Sequence, residues 1–226
     1  MLVVLVPFGV LTLAFDRKQR LHDFFSSRCA GYILGCAGVR VNARGLEHLA
    51  AAGRCVVVAN HRSLIDTLIL LQVLQRRAPI RFVAKRSLFR VPLLGWGMRR
   101  FGHVPVDGKS IWFSVAGLRL AAGSRRPWSM VFFPEGTRSR DGRMLPFKQA
   151  PFKIASRLGL PVLPITIAGS AEALPCGQIV ANGPAEVTVE VHPAIPPAAD
   201  SAGTAREALR RIEGGLLPAP AVAGTT

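Results

Sequence analysis

Short apolar runs rich in valine and isoleucine alternate with stretches of helical periodicity, and this alternation constrains the fold most. Residues 55–59 read Cys-Val-Val-Val-Ala, a pattern typical of a strand buried on both faces of a sheet. Further strands are predicted at 80–84, 128–133, 162–167 and 187–191. Helices are predicted at 64–75, 109–122, 152–158 and 204–212, the last capped by Asp200 and Ser201. We therefore predict an α/β fold, with a mixed, largely parallel sheet covered by helices on both faces.

The amino-terminal segment, residues 1–39, has a different character. Residues 1–15 are uncharged and apolar, and as a helix they span about 22 Å, less than the ~30 Å hydrocarbon core of a bilayer. A second stretch repeats apolar residues at helical spacing: Leu21, Phe24, Phe25, Tyr32, Ile33 and Cys36. We predict a membrane-associated helical hairpin, either in one leaflet or as one short span plus an interfacial helix. The alternative is a pair of helices packed on the domain core.

The charge of the chain predicts an anionic partner. Its formal net charge is +16, and no acidic residue occurs between Thr67 and Val106. That stretch holds basic residues among apolar and aromatic ones: Arg76, Arg77, Arg81, Lys85, Arg86, Arg90, Arg99 and Arg100. A basic, apolar surface indicates an acidic membrane rather than nucleic acid. The alternative is solvated charge spread over several faces.

Other features indicate where the chain works and where it ends. The basic residues Arg17, Lys18 and Arg20 follow the apolar run, which keeps the following chain on the cytoplasmic side. The cysteines lack metal-ligand spacing, which favours a reducing compartment. We expect a peripheral or monotopic protein on the cytoplasmic face of a membrane, such as the bacterial inner membrane. Residues 216–226 are rich in proline, alanine and glycine and are predicted to be a flexible tail.

A histidine and an aspartate follow the first buried strand. The sequence runs Asn60-His61-Arg62-Ser63-Leu64-Ile65-Asp66, and a predicted helix begins within it. Ligands of open α/β sheets gather where strands end. His61 is therefore a candidate general base, and Asp66 is the carboxylate that would orient it. The alternative is that Asp66 only stabilises the helix amino terminus, with Ser63, as a capping box.

A second constellation, Phe132-Phe133-Pro134-Glu135-Gly136-Thr137-Arg138-Ser139, stands at the end of another predicted strand. Gly136 permits close backbone approach. Thr137 and Arg138 offer a hydroxyl and a forked cation, which are groups that bind phosphate. Glu135 would accept a hydrogen bond from a substrate hydroxyl or pair with an arginine. The alternative is a structural turn with a surface ion pair.

Together the two motifs resemble the glycerolipid acyltransferase family, whose best-known members are the 1-acyl-glycerol-3-phosphate acyltransferases. Their order and separation along the chain match the family, and the resemblance covers about residues 40 to 195. Three further segments resemble it: Lys85-Arg86-Ser87-Leu88-Phe89-Arg90-Val91-Pro92-Leu93-Leu94-Gly95-Trp96, Pro146-Phe147-Lys148 and Leu160-Pro161-Val162-Leu163-Pro164-Ile165. We therefore expect residues 40–215 to form an acyltransferase domain.

The resemblance implies that His61, oriented by Asp66, deprotonates a hydroxyl of a membrane lysolipid. The alkoxide would attack the thioester of acyl-CoA or acyl carrier protein directly, without a metal or bound cofactor. With 1-acyl-sn-glycerol-3-phosphate the product is phosphatidic acid. Glu135, Gly136, Thr137 and Arg138 would bind the acceptor.

The sequence departs from the family at two positions. Gly108 stands where the family usually has an arginine that helps bind the acceptor phosphate; Arg99, Arg100 or the adjacent Lys109 would be the substitute cation. Ala150 replaces a usual glycine. Another acceptor, such as a lyso-ornithine lipid, and a non-catalytic lipid-binding protein are therefore kept as alternatives.

Overall fold

A single sheet organises the residues that the computed structural model describes, which are 20–92, 94–106, 128–138, 144–178 and 180–216. Within these ranges the sheet has seven strands in the order β1-β7-β6-β2-β5-β3-β4. The strands are β1 (Val39–Arg44), β2 (Val56–Ala59), β3 (Ile80–Lys85), β4 (Val104–Val106), β5 (Ser129–Phe132), β6 (Val162–Ala168) and β7 (Ala185–Val191). The helices are α1 (Arg20–Cys36), α2 (Leu46–Ala52), α3 (Asp66–Leu74), α4 (Leu94–Arg100), α5 (Ala150–Leu158), α6 (Ser170–Ala173) and α7 (Ser201–Leu216), with a 3-10 helix at Arg86–Arg90.

The pairing of the strands decides where a site can form. β2 pairs in parallel with β5 and β6, and β3 pairs in parallel with β4 and β5. Only the β6–β7 pairing within the described residues is antiparallel, so β7 and its parallel partner β1 run opposite to the other strands. The prediction of a mixed, largely parallel sheet is confirmed. The carboxyl ends of β2, β5 and β3, which are Ala59, Phe132 and Lys85, share one edge of the sheet.

Helices cover both faces of the sheet, as predicted. Val57 and Ala59 on β2 belong to a buried apolar cluster that includes Leu34 of α1 and Ile69 of α3. Val56 and Val58, which point the other way, belong to a second cluster that includes Phe152 of α5 and Ile212 of α7. Because both sets of side chains on β2 are fully buried, its sequence is continuously apolar.

Some predicted elements differ from the structure. The sequence did not indicate β1 or β4: β1 is an edge strand on which only Val39 is buried, and β4 has three residues. The last helix is confirmed with Asp200 as its cap, since Asp200 Oδ1 accepts the Ala202 and Gly203 amides at 3.0 and 2.9 Å. It runs on to Leu216. The predicted helix at 109–122, the first part of the hairpin and positions 217–226 of the tail lie outside the described residues.

Helix α1 packs on the body through an unusual face. It buries Asp23, Ser27, Ala30 and Leu34. Asp23 Oδ1 accepts hydrogen bonds from Arg81 of β3, at 3.0 Å, and from Gln75 after α3. Its apolar stripe points outward, with these exposed fractions: Leu21 48%, Phe24 47%, Tyr32 52% and Ile33 46%. Among the helices described here, none combines the length and hydropathy needed to cross a bilayer.

Candidate active site

The loop after β2 brings His61 and Asp66 into contact. His61 Nδ1 lies 2.9 Å from Asp66 Oδ2, and the side chains are 19% and 0% exposed respectively. A carboxylate accepts hydrogen bonds, so Asp66 selects the tautomer in which His61 Nδ1 carries the proton. Nε2 is then the basic nitrogen of the ring, so the arrangement can remove a proton from a hydroxyl.

Asp66 also fixes the loop that precedes α3. Its Oδ2 accepts the backbone amides of Arg62 and Ser63, both at 2.8 Å. These amides belong to the loop, whereas α3 itself has Ile65 at its N-cap position and no side-chain cap. One carboxylate oxygen therefore contacts His61 Nδ1 and two loop amides. The carboxylate is thereby fixed by two backbone donors before it meets His61.

Two buried polar side chains hold the same loop against β6 and α6. Asn60 forms a pair of hydrogen bonds with the backbone of Ile167, each 2.8 Å long, which resembles the pairing between two strands. Ser63 donates its hydroxyl to the carbonyl of Leu174 at 2.6 Å. Both side chains are fully buried. The loop that carries His61 is therefore fixed on the side away from β5.

Glu135 holds the loop from the β5 side. Its Oε1 accepts the backbone amide of His61 at 2.8 Å, and its Oε2 accepts the amide of Leu145 at 3.1 Å. The residue is 4% exposed, and burial raises the pKa of its carboxyl group, against the lowering effect of these amides. Glu135 thus joins the loops after β2 and β5. The positive charge of Arg62 also acts to lower the pKa of this carboxyl group.

The loop after β5 also supplies an aromatic wall and a cationic surface. The Phe133 ring stacks on the His61 ring, with centroids 4.0 Å apart. Gly136 has a φ of 72°, and a Cβ built there would overlap the Lys148 side chain, so the ammonium group of Lys148 lies against the Gly136 backbone. The left-handed backbone favours glycine here, whereas the flexible Lys148 side chain can move aside. Thr137 is exposed and Arg138 half-buried on the same loop, while Lys109 lies outside the described residues.

Sequence reasoning missed Asn60, Ser63, Phe133 and Lys148 as members of the site. A signal existed for three of them, because they stand inside motifs that follow strand ends. Lys148 belongs to the Pro146-Phe147-Lys148 segment, whose position beside Gly136 depends on the backbone bond from the Lys148 amide to the Pro134 carbonyl, 2.9 Å. In the described ranges, no group of three His, Cys, Asp or Glu side chains is arranged to hold a metal ion.

Comparison with known proteins decides the family. The family model described as Acyltransferase matches residues 40–168. A 1-acyl-sn-glycerol-3-phosphate acyltransferase of Chlamydomonas reinhardtii is 35% identical over 228 residues, covering 99% of this chain and 67% of the relative. This chain belongs to the acyltransferase family. The predicted membership of this family, and with it the prediction of an enzyme, is confirmed.

Other members of the family match in the same way. The chloroplastic 1-acyl-sn-glycerol-3-phosphate acyltransferase BAT2 of Brassica napus is 34% identical to this acyltransferase over 85% of the chain and 56% of the relative. The chain therefore spans about half to two thirds of the length of these relatives. The crystal structure of the 1-acyl-sn-glycerophosphate acyltransferase PlsC from Thermotoga maritima is 24% identical. It superposes with a TM-score of 0.77 over 92% of this chain and 86% of that one, which confirms the fold.

Proposed function

We propose that this chain transfers a fatty acyl group from an acyl thioester to the free hydroxyl of 1-acyl-sn-glycerol-3-phosphate, giving phosphatidic acid. The observation that carries the proposal is the 2.9 Å contact between His61 Nδ1 and Asp66 Oδ2 in a member of the acyltransferase family. The names of the relatives support the choice of acceptor, since they act on that lysolipid.

In the proposed mechanism, His61 Nε2 takes the proton of the acceptor hydroxyl as its oxygen attacks the thioester carbonyl carbon. The tetrahedral intermediate collapses with cleavage of the carbon–sulfur bond. The proton on His61 passes to the leaving thiolate, which restores the neutral imidazole and releases the thiol. Asp66 stabilises the imidazolium formed during the reaction. The proposal includes neither an acyl-enzyme nor a metal or bound cofactor.

The acceptor phosphate is assigned to the loop after β5. Arg138 and the Lys148 ammonium supply positive charge. Gly136 lets the phosphate approach the backbone closely, and Thr137 supplies a hydroxyl. Lys109 is proposed to add a further cation. Glu135 is proposed to act on the acceptor through the loops that it joins, because both of its carboxylate oxygens accept backbone amides.

The proposed place of action is a membrane surface, with the chain peripheral or monotopic on the cytoplasmic face. Exposed apolar side chains on α1 support this, together with those around the 3-10 helix and α4: Leu88, Val91, Leu94 and Trp96. Patches of this kind mark lipid or protein contacts. His22 of α1 stacks on Phe101, which follows α4, with ring centroids 3.3 Å apart, so the two exposed regions adjoin.

The direct test is acylation by the purified protein in lipid vesicles, followed by mass spectrometry. The acceptors are 1-acyl-sn-glycerol-3-phosphate and lyso-ornithine lipid. The donors are acyl-CoA and the acyl thioester of acyl carrier protein. We expect phosphatidic acid to form, and His61→Ala to abolish its formation without loss of folding. His48→Gln, which changes a histidine on α2, is the matched control.

Three results would contradict the proposal. Full activity in His61→Ala would exclude the mechanism. Preferential acylation of lyso-ornithine lipid would change the acceptor. Lipid binding without turnover of any donor would indicate a non-catalytic lipid-binding protein.

A further inference from the structure

A cleft rich in arginine lies at the carboxyl edge of the sheet, away from the loops that carry His61 and Glu135. It has a volume of about 240 Å³ and is lined by Arg86, Phe89, Arg90, Arg99 and Pro105. The 3-10 helix Arg86–Arg90, helix α4 and strand β4 form its walls. Every charged residue among these five is an arginine. The sequence between Thr67 and Val106, which supplies all five residues, contains no aspartate or glutamate.

The arginines converge because the surrounding backbone is tightly packed. A Cβ built on Gly95 would overlap the carbonyl group of Phe89, so only glycine lets α4 lie this close to the 3-10 helix. The Gly95 amide donates to the Val91 carbonyl at 2.7 Å, and the Arg99 guanidinium donates to the Phe89 carbonyl. Phe89 is 3% exposed and anchors the wall. The cleft is therefore part of the folded framework, although its arginines point into it from flexible stems.

The position of the cleft indicates which substrate it serves. β3 lies two strands from β2, and β4 lies one strand further. At about 4.8 Å per strand, the cleft is roughly 10 to 15 Å from the loop that carries His61, measured along the carboxyl edge of the sheet. In 1-acyl-sn-glycerol-3-phosphate, the phosphate is on the carbon next to the reacting hydroxyl, so it belongs near His61. The phosphates of CoA are separated from the thioester by the whole pantetheine arm.

We propose that the cleft lined by Arg86, Arg90 and Arg99 binds the phosphate groups of a phosphorylated pantetheine thioester, the acyl donor. Guanidinium groups bind phosphate oxygens through paired, charge-assisted hydrogen bonds. A second phosphate site, distant from the first, lets the donor and acceptor approach His61 from different sides. This inference rests on the proposed acyl transfer, but binding of the donor phosphates is measured without turnover.

Calorimetry with the purified full chain tests binding directly, using CoA and pantetheine as probes. We expect CoA to bind and pantetheine, which has no phosphate, to bind far more weakly. Arg90→Gln and Arg86→Gln are each expected to weaken CoA binding roughly tenfold. Arg76→Gln is the matched control, because it removes the same charge from the turn before β3, at the opposite edge. Equal binding of CoA and pantetheine, or an equal effect of all three substitutions, would overturn the proposal.

Steady-state kinetics then distinguish the source of the phosphate. In Arg90→Gln, we expect the preference for acyl-CoA over acyl-pantetheine to fall roughly tenfold, with the KM for the lysolipid unchanged. A similar loss with acyl carrier protein, which carries one phosphate on its pantetheine, would assign that phosphate to the cleft; a loss with acyl-CoA alone would assign the nucleotide phosphates.

Other results separate this inference from the proposed function. A selective rise in the KM for the lysolipid would make the cleft an acceptor site and overturn the inference. If the arginine variants lost only their sedimentation with anionic vesicles, the cleft would be a lipid-headgroup site, which would also overturn the inference. Absence of acyl transfer together with arginine-dependent CoA binding would contradict the proposed function but support the cleft.

Discussion

Replacing Asp66 with asparagine isolates the charge that is proposed to support His61. An asparagine side chain has nearly the same shape, and its oxygen can still accept the Arg62 and Ser63 amides that Asp66 Oδ2 accepts at 2.8 Å. The loop and the start of α3 are therefore expected to keep their structure. What is lost is the negative charge beside the imidazolium that forms during the reaction.

The expected loss follows from the geometry of the pair. With Nδ1 and Oδ2 2.9 Å apart, the centres of the two charged groups lie roughly 4 Å apart. Opposite unit charges at that distance attract by about 4 kcal/mol at an effective dielectric constant near 20. A barrier raised by ~4 kcal/mol lowers a rate roughly a thousandfold. Because the interaction arises only after proton transfer, kcat should fall and the KM for the lysolipid should change little.

The assay is steady-state acylation of 1-acyl-sn-glycerol-3-phosphate in vesicles, accompanied by urea unfolding of each variant. Asp200→Asn is the matched control, since it makes the same change at the exposed cap of α7. We expect that control to retain activity. If Asp66→Asn stays within threefold of the unmodified protein, or if its loss of activity follows a loss of folding, the charge argument is wrong.

Three further predictions concern the framework. Asp23→Asn is expected to lower the free energy of unfolding by roughly 3 kcal/mol, because it weakens the compensation of the buried Arg81 cation; a loss below ~1 kcal/mol in urea titrations would contradict this. Burial, followed by Arg81, lowers the pKa of His22 to about 3 and of His103 to about 4, so the unfolded chain binds more protons between about pH 4 and 6.5. Unfolding free energies should therefore fall as the pH decreases through that window, by up to ~1.4 kcal/mol per unit for each histidine, and His103→Gln should reduce the slope. Gly95→Ala should destabilise the fold by roughly 1–3 kcal/mol through overlap with the Phe89 carbonyl, which thermal unfolding with Gly97→Ala as control would measure.

The central strands could be predicted because a strand buried on both faces has apolar residues at consecutive positions. Residues 56–59 of β2 and 130–132 of β5 are buried on both faces, so these two runs contain no polar residue. β1 has only Val39 buried, and its Arg40, Asn42 and Arg44 positions resemble loop residues when only the sequence is seen. Edge strands are defined by pairing with a distant partner, here β7, and local sequence carries little of that information.

The candidate site was predictable to a similar extent. A histidine and an aspartate after a strand end suffice to propose the pair, and its 2.9 Å contact spans only five residues. The partners of Glu135 are different, because its bond to the His61 amide joins residues 74 positions apart, in the loops that follow two neighbouring strands. The register of β2 against β5 creates that bond. A sequence pattern therefore names the reactive groups more readily than the buried groups that position them.

Helix α1 shows how burial of a polar group bears on the membrane proposal. Its periodicity alone fits either a helix that packs on the core through its apolar stripe or one that turns this stripe outward. Asp23 distinguishes them, since a buried carboxylate needs a compensating partner and Arg81 provides one on β3. Once that ion pair fixes the rotation of α1, Phe24 and Ile33 must point away from the domain. The outward apolar face is thus a consequence of a specific interior contact, and this argues for a lipid-facing surface more strongly than the hydropathy of the helix does.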